Sequence, residues 1–269
     1  MGTSTRNKGQ SGHTPLVPSW LDEGTNGEVT PESTGMKPIP PDGDINRFTG
    51  SRKAFTQYVS GGGRDGSSMR RTVSRYVNHA LGGSTRATTR LGSARSSTAR
   101  LYGVLNNLSG AGGVREVAHQ LSINNLEGLP ASEFFIKIAT FVCPDGGTND
   151  EGLVRSAYYD SITDNVDLYG KKTEELTADE CSAILENFMG KVILEHIMND
   201  IANQIITLPD DIEQVSHIEG LVEQHIKQSV SDACAEVKQD QMQMTNGRAQ
   251  EITDSIYQKT YEILERKGE

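Results

Sequence analysis

A long, regular stripe of apolar side chains between residues 177 and 206 most constrains the fold of this chain. The stripe consists of Ile184, Phe188, Val192, Ile193, Ile197, Ile201 and Ile205. Residues at these three- and four-residue intervals share one face of an α-helix, and a stripe this wide faces a core rather than solvent. Strand-like alternation is nearly absent from the rest of the sequence. The sequence therefore predicts an all-α body.

Further helices are predicted on both sides of this stripe. Before the stripe they cover about 114–121, 131–142 and 150–168, and after it they cover about 209–230 and 249–266. Nearer the N-terminus, an apolar stripe from Val73 to Leu81 ends at the pair Gly82-Gly83, since glycine commonly terminates a helix. A hydroxyl at position 84 or 85 can cap the next helix, which is predicted to continue as far as Leu105.

Charge counts divide the chain into three zones. The first 63 residues hold six basic and six acidic side chains, whereas residues 64–100 hold eight arginines against the single acid Asp65. Residues 101–269 hold twelve basic and 29 acidic side chains. Such zones suggest separate parts of a chain. The parts we expect are an N-terminal arm at 1–63, an Arg-rich helical segment at 64–110 and an acidic helical domain at 111–269.

The predicted arm has a composition that does not support independent folding. Six of the nine prolines lie within residues 1–50, in a Gly-, Pro- and Ser-rich context, and Gly61 to Gly63 form a plausible hinge. Such a segment buries too little apolar surface to offset the entropy of ordering it, so we expect a disordered arm. Within the arm, Leu16, Val17 and the only tryptophan, Trp20, form an apolar island. It is either a docking element for a partner or a segment that folds back on its own body.

The residue types that support catalysis or metal binding are scattered. The three cysteines are far apart, and the six histidines form neither an HxH nor an HExxH motif. Cys143 precedes a Gly- and Asp-rich loop whose acids raise a thiol pKa, and no base lies nearby in the sequence. We therefore interpret the loop structurally: Gly146-Gly147 form a turn, and Asn149 or Asp150 caps the following helix. The sequence predicts no enzyme, no bound metal and no cofactor.

The Arg-rich segment is the best candidate for nucleic-acid binding. Arginine and small hydroxyl side chains are typical phosphate contacts. The candidate contacts are Arg71, Arg75, Arg86, Arg90 and Arg95. The acidic body and the overall pI of about 5.2 argue against this interpretation. The same arginines could instead dock on the acidic C-terminal half or face an acidic partner, and these alternatives stay open.

Nothing in the sequence predicts a membrane protein or a secreted one. No apolar run approaches the roughly 20 residues that span a bilayer. The first residues, Met1 to Arg6, contain no apolar core of a signal peptide. We expect a cytoplasmic protein without a membrane partner.

The amino terminus offers a different kind of chemistry. Removal of Met1 would expose Gly2, which is followed by the small residues Thr3, Ser4 and Thr5. An α-amine has a pKa near 8, so an appreciable minority is neutral and nucleophilic at about pH 7. The alternative is an inert end, which is how most chain termini behave.

Three stretches of the chain resemble the QatB family, the B component of the bacterial four-gene Qat anti-phage system. The stretches are 1–4 with 12–21, 73–77 with 82–84, and 143–148 with 150–152. The resemblance implies a defence protein acting beside an ATPase, a QueC-like enzyme and a TatD-like nuclease. QueC-like enzymes activate a carboxylated deazaguanine with ATP and form a new bond to nitrogen. It further implies that Gly2 is the acceptor amine, with Thr3, Ser4 and Thr5 lining the partner's pocket.

Overall fold

The computed structural model describes residues 46–201, 212–240 and 249–268, and all regular structure in these ranges is helical. The helices are α1 (Thr49–Ser60), α2 (Gly66–Arg75), α3 (Ser84–Arg90), α4 (Ser93–Leu108), α5 (Gly113–Leu121), α6 (Ala131–Val142), α7 (Asn149–Thr163), α8 (Ala178–Asp200), α9 (Ile212–Asp240) and α10 (Ala249–Arg266). A π-helical turn, Tyr76–Leu81, continues α2, and two 3₁₀ turns, Val166–Tyr169 and Thr173–Glu175, join α7 to α8. The predicted all-α fold is confirmed for this part of the chain. None of its helices combines the length and the apolar character that a bilayer crossing requires.

The apolar stripe of α8 lies at the centre of the body. Phe188, Val192 and Ile193 are fully buried, and α8 packs against α4, α7 and α9. The Phe188 ring meets Tyr158 of α7 edge to face, with 5.8 Å between the ring centroids. Tyr158 donates its hydroxyl hydrogen to the carbonyl oxygen of Phe135 over 2.8 Å, so this deeply buried polar group is satisfied. The predicted stripe is therefore buried from Ile184 to Ile201, whereas Ile205 lies outside the described residues.

Helices α7 and α8 both begin with a capping box. The Thr148 hydroxyl accepts a hydrogen bond from the Glu151 amide, and the Glu151 carboxylate accepts one from the Thr148 amide. This reciprocal arrangement satisfies two amides that an α-helix leaves without partners. The prediction that Asn149 or Asp150 caps α7 was wrong, because Thr148 occupies the capping position.

The Asp150 side chain caps a different helix. Its Oδ2 accepts hydrogen bonds from the Ser93 amide at 2.9 Å and from the Ser93 hydroxyl at 2.6 Å, at the start of α4. Gly92 turns the chain there with φ +49°, and a Cβ on Gly92 would lie 2.8 Å from the same carboxylate oxygen. The single helix predicted from residue 84 to Leu105 is thus two helices, α3 and α4. Helix α3 follows Gly83 without a side-chain cap, so the cap predicted at 84 or 85 was also wrong.

Helix α1, which lies within the predicted N-terminal arm, is packed into the helical body. Phe55, Tyr58 and Val59 of α1 are at most 4% exposed and belong to the same hydrophobic core as the later helices. Residues 46–63 are therefore part of the helical body, because the apolar face of α1 is buried against α2. The same core contains residues of both the Arg-rich segment and the acidic helices. The rest of the predicted arm, residues 1–45, lies outside the described residues.

Candidate functional site

The residues predicted for modification and partner docking lie outside the part of the chain that the structure describes. They are Gly2, Thr3, Ser4, Thr5, Leu16, Val17 and Trp20. Their roles stay predictions.

The five candidate arginines occupy different environments. Arg71 and Arg75 are exposed on α2, and Arg86 is exposed on α3. Arg90 lines an open cavity, whereas Arg95 is partly buried against α10. The structure thus does not bring all five together in one contact surface, as a single nucleic-acid site would require.

Arg95 forms a bidentate ion pair with Asp254. Its Nε donates to Oδ1 at 2.7 Å, and its Nη2 donates to Oδ2. The side chains are 34% and 23% exposed, so the pair lies between α4 and α10 rather than on the open surface. Burial opposes ionisation of Asp254, but the hydrogen bonds from Arg95 and Gln250 hold its pKa below the usual value. At this position the Arg-rich segment docks on the acidic C-terminal half.

We expect Arg95→Gln to lower the free energy of unfolding by about 1–2 kcal/mol, because it removes charge-assisted hydrogen bonds and leaves Asp254 without its cation. Urea denaturation measures the change. The matched control is Arg86→Gln, which removes an exposed arginine and is expected to alter stability by less than about 0.5 kcal/mol. Equal stability of the two variants would contradict a structural role for Arg95.

Cys143 is buried and unsuited to nucleophilic catalysis. Burial raises the pKa of its thiol to about 11, although a hydrogen bond from Ser97 and the charges of Arg155 and Arg100 act in the opposite direction. The thiol is therefore protonated at neutral pH. The cause of the raised pKa differs from the predicted one, because burial rather than the neighbouring acids raises it, and Asp145 is paired with Arg155.

A polar cavity of about 360 Å³ lies among the π-helical turn, α3, α7, α8 and α10. Its charged or titratable lining residues are Arg47, Arg90, Asp150, His196 and Asp200, with Tyr76 and Tyr261. The Tyr76 hydroxyl donates to Asp200 Oδ2 over 2.8 Å. Burial, reinforced by the Asp200 charge, raises the pKa of Tyr76 well above its usual value, so the tyrosine remains a donor.

His196 is the titratable base of this cavity. Its Nε2 lies 3.6 Å from Asp150 Oδ1, too far for a hydrogen bond, and has no hydrogen-bond partner among the described residues. Burial lowers the pKa of His196, although Asp150 and Asp200 act to raise it, so the imidazole is neutral at pH 7. The Ser93 hydroxyl is committed to Asp150. The described cavity therefore offers hydrogen-bonding groups, but no hydroxyl or thiol paired with the histidine.

Sequence reasoning missed this cavity because its polar residues come from distant segments. Asp150 lies in the first turn of α7, His196 and Asp200 lie near the end of α8, and Arg90 is the last residue of α3. In the sequence, Arg90 stood out through the density of arginines around it, and Asp150 was singled out only as a helix cap and as part of the resembling stretch at 150–152. No spacing rule connects groups that tertiary packing alone brings together. In the described ranges, no group of three or more histidines, cysteines or carboxylates is placed to hold a metal ion.

Comparison with known proteins assigns the chain to a protein family. A family model described as Qat anti-phage system associated protein QatB matches residues 82–264, about two thirds of the chain. No curated protein and no solved structure matches the chain. The match contains the third resembling stretch, at 143–152, and begins within the second, at Gly82. The chain therefore belongs to the QatB family, the proteins associated with the Qat anti-phage system.

Proposed function

We propose that this QatB-family chain is a non-enzymatic component of the Qat system that binds a QueC-like enzyme and presents Gly2 for modification by a deazaguanine. Membership of the family, which makes the chain a component of an anti-phage system, is the observation that carries the proposal. In the described helical body, Cys143 is buried with a raised pKa, and the Nε2 of His196 has no hydrogen-bond partner among the described residues.

The acceptor chemistry requires only a free amine in a chain that begins at Gly2 after removal of Met1. The neutral α-amine attacks the carboxyl carbon of a deazaguanine that the partner has activated with ATP. A carbon–nitrogen bond forms, the activating group leaves with the bonding electrons, and the amine loses a proton. Thr3, Ser4 and Thr5 are small enough to follow Gly2 into a narrow pocket of the partner.

The partner contact is proposed to include the apolar island at Leu16, Val17 and Trp20. Aromatic anchors of this kind dominate many protein interfaces, because they bury a large area at small entropic cost. The ATPase and the TatD-like nuclease of the system are further proposed partners, and the proposed location is the cytoplasm.

Intact-mass spectrometry of the chain coexpressed with its QueC-like partner tests the acceptor. We expect a mass increase that peptide mapping places on the N-terminal peptide. Gly2→Pro replaces the primary amine with a hindered secondary amine and should abolish the increase, whereas Gly2→Ala keeps a small primary amine and should retain most of it. An unmodified N-terminal peptide, with an active partner and its precursor shown to be present, would rule out the acceptor role.

A further inference from the structure

An open groove of about 570 Å³ lies between α1 and α2. One wall is formed by α2 and its π-helical turn, from which Arg71, Arg75 and His79 line the groove. No aspartate or glutamate is among the described residues that line it. In a chain of net charge −10, a groove whose described lining includes two arginines and no carboxylate is a local departure from the overall charge.

The two arginines bring poorly compensated positive charge to this wall. Four residues rise about 6 Å along a helix, so Arg71 and Arg75 are neighbours on one face, and like charges at this spacing repel. Arg75 is exposed and has no hydrogen bond or ion pair with any residue in the described ranges. The Nη2 of Arg71 lies 3.6 Å from the Oδ2 of Asp65, but both side chains are more than half exposed, so solvent weakens this ion pair. An anion in the groove would relieve the repulsion.

The π-helical turn Tyr76–Leu81 adds neutral hydrogen-bonding groups next to these charges. Turns of this type are rare and are frequent at functional sites. Asn78 and His79 of the turn line the groove beside Arg75, and Gln57 of α1 lines it from the opposite wall. Guanidinium groups and side-chain amides are among the groups that contact phosphate oxygens.

Two features favour a small ligand over a nucleic acid. Tyr58, the only phenylalanine, tyrosine or tryptophan that lines the groove in the described ranges, is 4% exposed. Its hydroxyl donates to the Gly63 carbonyl over 2.7 Å, so this ring is not available to stack on a base. The chain as a whole carries a net charge of −10, which disfavours the approach of a long polyanion.

We propose that this groove binds a small ligand through a diphosphate or triphosphate group. Arg71 and Arg75, one helical turn apart, each hold one phosphate, and Asn78 and His79 donate hydrogen bonds to its oxygens. The groove volume lies within the range of small-molecule sites. The proposal does not depend on the modification of Gly2, because it concerns only residues of the helical body.

Isothermal titration calorimetry of the full-length protein with inorganic pyrophosphate and with ATP tests the groove. We expect saturable binding at one site per chain, weakened at least about tenfold by Arg75→Gln and by Arg71→Gln because each loses a charge-assisted contact. The matched control is Arg86→Gln, which removes the same charge from the exposed surface of α3, outside the groove. It should change the affinity by less than about twofold, since it alters only the long-range field. Because Arg75 is exposed, its variant is expected to keep the thermal midpoint of the parent protein.

Other outcomes of the same titrations would overturn the proposal. One is that neither pyrophosphate nor ATP binds saturably. Another is that the Arg86 and Arg75 variants weaken binding equally, which would indicate that only the overall charge of the protein matters. An acidic peptide that binds as tightly as pyrophosphate would show that the groove does not select phosphate. A short oligonucleotide that binds more tightly than ATP, and depends on Arg75, would replace the small ligand with nucleic acid.

Discussion

Gly63→Ala is expected to lower the free energy of unfolding by about 2–4 kcal/mol, because two costs add at this position. Gly63 ends the turn between α1 and α2 with φ +65°, a conformation that residues with a Cβ rarely adopt. An added Cβ would also collide with the buried side chain of Ile218, at 2.3 Å from Cγ1. Chemical denaturation followed by circular dichroism measures the loss.

A matched variant separates the two costs. Gly113 has φ +51°, but an added Cβ there would meet nothing within 4 Å, so Gly113→Ala should incur only the backbone strain, about 1 kcal/mol. Combining Gly63→Ala with Ile218→Ala removes the colliding atoms, so the double variant should lose less stability than the sum of the single variants. If Gly63→Ala lowers the free energy of unfolding no more than Gly113→Ala does, that result would contradict the close packing of α9 on this turn.

Mild acid is expected to destabilise the protein through His225 of α9. Burial, followed by the charges of Lys267 and Arg70, lowers the pKa of His225 to about 4, and its Nε2 has no hydrogen-bond partner in the described ranges. In the unfolded chain the histidine pKa is about 6.5, so between roughly pH 6.5 and 4 the unfolded state binds more protons than the folded state. Stability therefore falls as the pH falls through this window, by about 1–3 kcal/mol from this group. His196, whose pKa is also lowered, acts in the same direction.

Urea denaturation at about pH 7.5 and about pH 4.5 tests this, on either side of the ordinary histidine pKa. The free energy of unfolding of the His225→Gln variant should differ less between the two pH values than that of the parent protein. This expectation holds whatever the stability of the variant at the higher pH. His217→Gln changes an exposed histidine on the same helix and should keep the parent's difference. An unchanged difference in the His225 variant would show that this histidine does not govern the acid response.

Much of the secondary structure could be predicted because its signals are local. The helices at 114–121, 131–142 and 249–266 were predicted to within a residue, since their apolar spacing and the glycine and proline residues around them lie in the same short windows. The break at Gly92 was missed. Its capping partner, Asp150, is 57 residues further along the chain from Ser93, so no local pattern reports it.

The candidate sites were predictable only in part. The density of arginines at 64–100 marked a basic zone, but the sequence could not show that Arg95 meets Asp254, 159 residues away, while Arg75 remains exposed. The cavity around His196 gave no sequence signal, because it is assembled from side chains of separate helices.

The sequence by itself determined that the described body of the chain is helical, that the cysteines form no motif and that the basic and acidic charges are segregated. These properties follow from spacing and composition, which act over a few residues. Only the tertiary structure decided that α1 belongs to the core and which arginines are paired and which are exposed. Those outcomes depend on helix packing, which brings Gly63 against Ile218 and Arg95 against Asp254. Contacts between distant residues are set by the burial of whole helix faces, and no short segment of sequence encodes them.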